Sequence, residues 1–506
     1  MNQLKAGAIL SYITIIISII IALVYTPIMI RLLGQSEFGL YSLIGSLAAY
    51  FSILDLGLGN AIVRYTARNR AKEDRDFESR LNGTFLILYS IIGLLTIFIG
   101  IIVLYNIEFI FSNSLDNTEI NKAKIMLIIL IINFSLSFPL SVFHSIIRAY
   151  ERFVVDKLLS IVRISITPIL TLPLLFFGYG SISMVVVSTI VNLSVLFYAT
   201  YYAFKELQIK VNFNIVDKLV IKEIFGYSFF IFLNIIVDQI FWKTDQIILG
   251  IVSGTVSVAI FAIAMQFITL YKQFSTAISN LFLPKLSIME ANNTSIEGFS
   301  EVFIKYGRIQ FTLIAYILSG FIVFGQYFIN FWAGEDYSSA YYIVLIIMIP
   351  LTIPLTQNIG IGILQAKNKL AFRSILYIIL AIINIFITIP LAIEYDGIGT
   401  AFATGISLII GHIIIMNIYY YKSIGLNIPS YWLNIFKLMI PVIFSIAIGV
   451  FVTKQIFLIT HIAHCIIGII LFSLLHFLLL WVMELNQYEK ELFLSILGNI
   501  MGRLRI

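Results

Sequence analysis

Three polar side chains interrupt an otherwise apolar stretch at residues 225–249. Asn234, Asp238 and Asp245 are spaced by four and seven residues, which in an α-helix places them within about 40° of one another. A charged group inside a membrane-spanning helix is costly unless it faces a cavity or a partner. The stripe therefore indicates one of two roles. It is a cavity wall that binds a coupling cation or a polar substrate, or it is a hydrogen-bonded patch that only joins helices.

Two lysines lie in similar surroundings. Lys243 points away from that stripe, and its long side chain could carry the charge to the membrane interface. Lys272 lies in the next apolar stretch, where it could line a binding site or pair with an acidic neighbour. For each of them, a functional and a purely structural role remain open.

Glycines and prolines mark two places where helices could bend. Asp55, Gly57 and Gly59 end one apolar stretch, and the glycines could form a hinge or let two helices approach closely. Pro350 and Pro354 interrupt another stretch, and the backbone groups they free are tolerated in a membrane only against protein or a wet cavity. The alternatives for this pair are a bend that lines a cavity and an incidental kink.

The sequence offers little for catalysis or cofactor chemistry. It contains no Gly-x-x-x-x-Gly-Lys-Ser/Thr run, which argues against ATP-driven transport by this chain alone. The five histidines lack the spacing of metal ligands, and Cys465 is the only cysteine. The connections on one side are too short to carry an external active site. We therefore expect no metal, no cofactor and no enzymatic activity.

The elements that position these residues must be membrane-spanning helices. Of 506 residues, 60% are hydrophobic and 11% charged, and the mean hydropathy is +1.01. Soluble domains carry roughly 25% charged residues, so lipid must be the solvent for most of this chain. The net charge of +6 fits loops near anionic lipid better than nucleic-acid binding. Fourteen apolar spans are predicted, at residues 6–30, 38–62, 81–105, 125–146, 158–177, 182–204, 225–249, 255–279, 309–332, 339–364, 374–393, 398–421, 436–453 and 460–483.

Basic residues alternate between the two sides of the predicted membrane. The connections after spans two, four, six, eight and ten hold eighteen Lys or Arg residues, whereas the opposite side has four. By the positive-inside rule the basic connections, and with them both termini, face the cytoplasm. We therefore expect a multi-pass membrane protein with both termini in the cytoplasm.

The chain also repeats itself. Gly34, between spans one and two, matches Gly250 at an offset of 216 residues, and Arg148 matches Gln365 at an offset of 217. Six spans per repeat give two bundles that point the same way across the membrane. The fold class predicted is all-α, with six-helix bundles at residues 1–210 and 211–425. Residues 426–506 add two further spans and a cytoplasmic tail.

Four short motifs resemble those of the polysaccharide biosynthesis protein family. They lie at residues 32–41, 54–64, 148–153 and 245–250, and the likeness extends over roughly residues 1–420. This family contains O-antigen and capsule repeat-unit flippases of the multidrug/oligosaccharidyl-lipid/polysaccharide exporter superfamily. The motifs are short, but their order agrees with the fourteen spans and the repeat.

The resemblance implies a flippase that carries an undecaprenyl-pyrophosphate-linked oligosaccharide across the bacterial cytoplasmic membrane by alternating access, coupled to a cation gradient. Its partners would be that lipid-linked oligosaccharide, membrane lipid, and a polysaccharide polymerase and glycosyltransferases. A charged central cavity is typical of the family. On that basis the candidates for binding the headgroup are Arg31, Arg64, Arg148, Lys243 and Lys272.

Two other functional classes stay open at this point. A cation-coupled multidrug or small-solute exporter of the same superfamily would share the fold, although the arginines at the inner mouth argue against it. A membrane-embedded polymerase or acyltransferase would need a large external loop or an intramembrane histidine site, and the sequence shows neither.

Overall fold

The computed structural model describes residues 3–279, 282–456 and 458–504, and these residues are almost entirely helical. Within them, thirteen helices are long and apolar enough to cross a membrane. One of the thirteen, Ala371–Ile424, has 54 residues and a sharp kink at Tyr395 and Asp396, so it contains two of the predicted spans. The predicted all-α membrane fold with about fourteen spans is confirmed.

Eighteen α-helices make up the described chain. The first nine are α1 (Gln3–Leu33), α2 (Gln35–Phe51), α3 (Leu58–Arg70), α4 (Arg75–Phe111), α5 (Asn117–Ala149), α6 (Phe153–Phe176), α7 (Gly180–Lys205), α8 (Lys218–Val252) and α9 (Gly254–Ser279). The remaining nine are α10 (Leu283–Ala291), α11 (Ile296–Trp332), α12 (Ala340–Thr356), α13 (Asn358–Ala366), α14 (Ala371–Ser407), α15 (Met416–Tyr419), α16 (Ile428–Phe451), α17 (Ile462–Met483) and α18 (Gln487–Leu504).

The chain divides into two compact units. Unit 1 comprises Met1–Ala262 and Ala392–Asp396, and unit 2 comprises Ile263–Leu391 and Gly397–Ile506. Unit 1 therefore includes α8, which packs against α2 and α3. The division into bundles at residues 1–210 and 211–425 stays a prediction.

Apolar stripes on the outside of the helices agree with a lipid environment. On α4, the side chains of Leu94, Phe98, Ile101 and Tyr105 are all exposed. Their spacing of four, three and four residues places them on one face of the helix. Such a face would be unstable against water, whereas lipid tails solvate it well.

The internal repeat is visible in the turns that end α5 and α13. Glu151 and Asn368, which lie 217 residues apart, both adopt a left-handed backbone, with φ of 57° and 53°. Their hydrogen bonds also correspond: Glu151 N donates to Arg148 O, and Asn368 N donates to Gln365 O. The predicted match between Arg148 and Gln365 therefore reflects the same local structure.

The other predicted match is wrong by four residues. Gly250 lies inside α8, where an added Cβ would come within 2.5 Å of the Leu43 side chain. The turn that corresponds to Gly34, with its φ of 78°, is made by Gly254, with a φ of 81°. The residues that follow Gly250 are apolar like those before it, so the sequence does not show that α8 continues to Val252.

Two of the predicted spans are broken rather than continuous. The predicted span 38–62 contains a short 3-10 helix, Ser52–Asp55, and a break before α3 begins at Leu58. The predicted span 339–364 is broken at Gln357, between α12 and α13. Both breaks lie next to the residues predicted as candidate hinges.

Candidate substrate-binding site

Four basic residues of unit 1 interact with a buried carboxylate on α6. Asp156 is only 5% exposed. His144 Nε2 lies 3.0 Å from its Oδ1, and Lys157 Nζ lies 3.4 Å from its Oδ2. Arg148 and Arg163 also interact with Asp156 electrostatically. The short turn between α5 and α6 brings these groups together, and we name the five residues the Asp156 cluster.

The two arginines of the Asp156 cluster have unused hydrogen-bonding capacity. Arg148 Nη2 donates to Ser145 Oγ over 3.1 Å. The buried Nε atoms of Arg148 and Arg163, however, find no acceptor among the described residues. A buried donor without an acceptor costs about 1–3 kcal/mol. An anion with several acceptor oxygens would remove that cost, so the arrangement suits phosphate chemistry.

Sequence reasoning found only part of this cluster. Arg148 was among the predicted headgroup-binding residues, whereas Arg163 and Asp156 were missed. A signal was present, because Arg163 is a charged residue inside the predicted span 158–177. The criterion that singled out Asp238 and Asp245, a charge within an apolar stretch, applies equally to Arg163.

The break after α2 holds Asp55 in a defined position. Tyr89 of α4 donates its hydroxyl to Asp55 Oδ1 over 2.7 Å. Gly59 N donates to Asp55 Oδ2 over 3.4 Å. Between them, Leu56 and Gly57 adopt left-handed backbone conformations, with φ of 53° and 73°. Asp55 therefore links the residues before the break to α3 through Gly59 and to α4 through Tyr89.

Gly57 also makes close contact with α8. A Cβ at this position would lie 2.8 Å from Ser228 O and 2.9 Å from Ile231 Cβ. Its positive φ and this contact both require glycine. The hinge role predicted for Asp55, Gly57 and Gly59 stays a prediction, although the break itself is present.

Arg64 lies on α3 and contacts α8. Its guanidinium lies 4.4 Å from the centroid of the Tyr227 ring, a distance typical of a cation–π contact. One turn further along α3, Arg68 forms an ion pair with Glu223 at 3.1 Å. Arg64 remains exposed, so this contact leaves it open to further ligands.

The polar stripe of α8 divides into two parts. Asn234 and Asp238 are exposed, whereas Asp245 is buried, with 3% of its surface accessible. The difference arises because α2 covers this end of α8, where Ser46 donates a hydrogen bond to Gln246. The three residues share a helix face as predicted, but they differ in their access to a ligand.

The remaining basic candidates lie elsewhere. Arg31 is in the last turn of α1, close to Ser36, which donates to Glu119 at the start of α5. Arg148 is at the other end of α5, roughly 43 Å away along the helix axis at 1.5 Å per residue. The structure therefore does not bring Arg31 together with Arg148.

Two lysines complete the predicted set. Lys243 is half-buried on α8 in unit 1. Lys272 is half-buried on α9 in unit 2, where it interacts electrostatically with His412. The two lysines thus belong to different units, and neither is part of the Asp156 cluster.

The helix break in unit 2 is closed by hydrogen bonds within the protein. Pro350 and Pro354 lie inside α12, which ends at Thr356. At the break, Gln357 Nε2 donates to Asn417 Oδ1 over 2.9 Å. Ser275 Oγ also donates to Leu355 O over 2.7 Å, so a backbone carbonyl near the end of α12 is satisfied by a protein side chain. A hinge role for the two prolines stays a prediction.

The described residues contain no group of three or more His, Cys, Asp or Glu side chains that could hold a metal ion. The basic groups of the Asp156 cluster are instead suited to an anion.

Comparisons with known proteins agree on one fold. The model of the polysaccharide biosynthesis protein family matches residues 4–289. The uncharacterized membrane protein EpsK of Bacillus subtilis (strain 168) is 21% identical over 422 residues, covering 81% of each chain. A proposed O-antigen transporter of Shigella flexneri is 22% identical over 396 residues, covering 77% of this chain and 91% of its own.

Solved structures of transporters share the same architecture. The lipid II flippase MurJ, in an inward closed conformation, superposes with a TM-score of 0.71 at 18% identity, covering 94% of this chain and 97% of its own. An inward-facing multidrug resistance transporter of the MATE family gives a TM-score of 0.62 at 16% identity, covering 81% and 99%. At such low identities these matches establish the fold alone.

The family model covers more than half of the 506 residues, including the break after α2, the Asp156 cluster and the stripe of α8. The resemblance of the four short motifs is thereby confirmed. This chain belongs to the polysaccharide biosynthesis protein family.

Proposed function

We propose that the chain is a flippase for an undecaprenyl-pyrophosphate-linked oligosaccharide. It would move this lipid from the inner to the outer leaflet of the bacterial cytoplasmic membrane by alternating access, coupled to a cation gradient, with both termini in the cytoplasm. Membership of a polysaccharide biosynthesis family supports this proposal. Relatives described as an O-antigen transporter and a lipid II flippase support a lipid-linked sugar as substrate.

The observation that carries the proposal is the Asp156 cluster. A pyrophosphate that enters a low-dielectric passage needs fixed cations, and arginine matches phosphate oxygens with two parallel hydrogen bonds. Arg148 and Arg163 supply buried Nε donors that find no acceptor in the described protein. We therefore assign the pyrophosphate to these two arginines.

The first repeat alone offers this arginine pair. Gln365 of unit 2 occupies the place of Arg148 in the repeat, and a neutral amide cannot balance a phosphate charge. Arg64 lies on the predicted cytoplasmic side and is exposed, which suits a first contact with the headgroup. In this proposal unit 1 binds the headgroup, and Asp238 and Asp245 of α8 bind the coupling cation.

The test compares variants in cells that depend on this chain for surface polysaccharide. Arg148→Gln and Arg163→Gln should each cause lipid-linked oligosaccharide to accumulate on the cytoplasmic leaflet. The loss of a hydrogen bond to a charged group costs about 1.5–3 kcal/mol, which corresponds to a fall of about ten- to a hundredfold in flipping rate. Arg148→Lys keeps the charge and should restore export only in part.

Arg152→Gln is the matched control. Arg152 is an exposed arginine four residues after Arg148 and before α6, and its side chain is not part of the Asp156 cluster. It should export normally. If Arg148→Gln and Arg163→Gln reach the membrane and also export normally, the arginines serve only packing or orientation, and the headgroup assignment is wrong.

A second candidate function is cation-coupled export of small molecules. The shared fold with a multidrug resistance transporter and the carboxylates of α8 favour this alternative. Cells that lack the chain would then become sensitive to cationic dyes while their surface polysaccharide remained normal. The opposite pattern, loss of surface polysaccharide without dye sensitivity, supports the flippase.

A further inference from the structure

A polar pocket of about 500 Å³ lies within unit 1, apart from the residues of the Asp156 cluster. The turn between α3 and α4, the first turns of α4, the residue after α5 and the segment after α7 form its walls. Its charged lining residues are three cations, Arg70, Arg75 and Lys210, and two carboxylates, Glu73 and Glu78, so the cations outnumber the anions by one. Because these residues belong to the basic connections, the pocket opens on the predicted cytoplasmic side.

One wall of the pocket is held in place by Tyr150. The guanidinium of Arg70 lies 4.1 Å from the centroid of the Tyr150 ring, and its Nη1 donates to Ala149 O over 3.2 Å. The Tyr150 hydroxyl donates to Glu78 Oε1 over 2.6 Å. Burial, together with the Glu78 carboxylate, raises the pKa of Tyr150, so the hydroxyl stays protonated as a donor. Arg70 is therefore positioned before any ligand arrives.

The opposite wall is equally fixed. Asn212 N donates to Ser79 O over 2.9 Å, which joins the segment after α7 to α4. A Cβ at Gly83 would lie only 2.0 Å from Asn212 O, so the two backbones touch. This contact fixes the position of Lys210, two residues earlier in the same segment.

Asn82 of α4 supplies an unsatisfied acceptor to the pocket. Its side chain is 1% exposed and lines the pocket, and its Nδ2 donates to Lys210 O over 3.2 Å. Its Oδ1 is buried and accepts no hydrogen bond from the described residues. A ligand hydroxyl could donate to this oxygen and remove a cost of about 1–3 kcal/mol.

We propose that this pocket binds a phosphate ester that also carries hydroxyl groups. The phosphate contacts Arg70, Arg75 and Lys210, and a hydroxyl of the ligand donates to Asn82 Oδ1. A soluble sugar phosphate and the glycerol phosphate headgroup of phosphatidylglycerol both have this chemistry. The inference does not rest on the proposed transport function, because the pocket shares no residue with the Asp156 cluster.

The test uses the full-length protein in phosphatidylcholine nanodiscs. Glucose 1-phosphate should bind saturably, inorganic phosphate more weakly, and glucose not at all. Arg70→Gln and Lys210→Gln should each weaken glucose 1-phosphate binding about tenfold or more, the cost of one charge-assisted hydrogen bond. Asn82→Ala should weaken glucose 1-phosphate binding more than inorganic phosphate binding, since the proposal places a sugar hydroxyl, and not the phosphate, against Asn82 Oδ1.

Lys205→Gln is the matched control. Lys205 is an exposed lysine five residues before Lys210, and its Nζ contacts the Tyr201 hydroxyl outside the pocket. It should bind glucose 1-phosphate normally. If Lys205→Gln weakens binding as much as Lys210→Gln does, the ligand is only attracted by general surface charge, and the pocket proposal is overturned.

Nanodiscs of equal parts phosphatidylcholine and phosphatidylglycerol distinguish the two sources. If the lipid headgroup is the occupant, native mass spectrometry will show retained phosphatidylglycerol, and glucose 1-phosphate will bind more weakly in these discs. If the soluble ester is the occupant, the lipid composition will make no difference. The proposal is wrong if the protein neither binds glucose 1-phosphate nor retains phosphatidylglycerol, and Arg70→Gln changes neither measurement.

Discussion

Within unit 2, a buried ion pair joins α18 to α11, and its loss should have a large effect on stability. Arg308 of α11 and Glu489 of α18 are 6% and 3% exposed. Arg308 Nε and Nη2 donate to the two Glu489 oxygens over 2.7 and 2.9 Å. Nη1 donates to Asn434 Oδ1 over 3.1 Å, and Nη2 also donates to Glu484 O over 3.0 Å. The guanidinium is thus bound on three sides.

Replacing Glu489 by alanine should release α18 from α11. Breaking one side of a buried ion pair costs about 3–5 kcal/mol, because the partner charge remains buried without compensation. Two lost charge-assisted hydrogen bonds at about 1.5–3 kcal/mol each lead to a similar figure. Each 1.4 kcal/mol is a factor of ten in an equilibrium constant. The fraction of molecules in which α18 is detached from α11 should therefore rise about a thousandfold.

Hydrogen–deuterium exchange of residues 487–495 in full-length protein in nanodiscs measures this population. Glu489→Ala should accelerate exchange there and leave α4 unchanged. The double variant Arg308→Met, Glu489→Met removes both charges and should recover most of the protection. If Glu489→Ala changes exchange less than threefold, the pair does not hold α18, and the reasoning from burial fails.

Three further predictions follow from other parts of the chain. With Cys465 buried, an impermeant thiol reagent outside intact cells should label Asn113→Cys but not Lys72→Cys, and the reverse would overturn the orientation. Gly57→Ala should destabilise the protein by at least about 1–2 kcal/mol, because its positive φ disfavours a Cβ and the added methyl would also clash with α8, and thermal unfolding in detergent measures this loss. Asp238→Asn and Asp245→Asn should abolish or weaken export while the protein stays in the membrane, and normal surface polysaccharide in both would return the stripe to a structural role.

Much of the architecture follows from local patterns in the sequence. Apolar length and alternating charge predict the spans, because a bilayer imposes both on any chain that crosses it. Asp55, Gly57 and Pro354 mark two real helix breaks, since glycine and proline act on their own backbone. These features need no knowledge of which helices are neighbours.

The contacts that define the site depend on such knowledge. Asp238 and Asp245 share a helix face, yet only Asp245 is buried, because α2 covers one end of α8 and not the other. Arg308 and Glu489 lie 181 residues apart, and no local pattern connects them. Arg163 is a different case, since its charge inside a predicted span was visible in the sequence from the start.

Flipping by purified protein tests the central claim most directly. Proteoliposomes that contain the chain and the host's undecaprenyl-pyrophosphate-linked oligosaccharide would be exposed to a membrane-impermeant lectin that binds the sugar. With an imposed cation gradient, wild-type protein should make the sugar of the inner leaflet accessible from outside. Arg148→Gln and Arg163→Gln should slow this step about tenfold or more, whereas Arg152→Gln should not. Equal rates for wild-type protein and for liposomes without protein would contradict the flippase assignment.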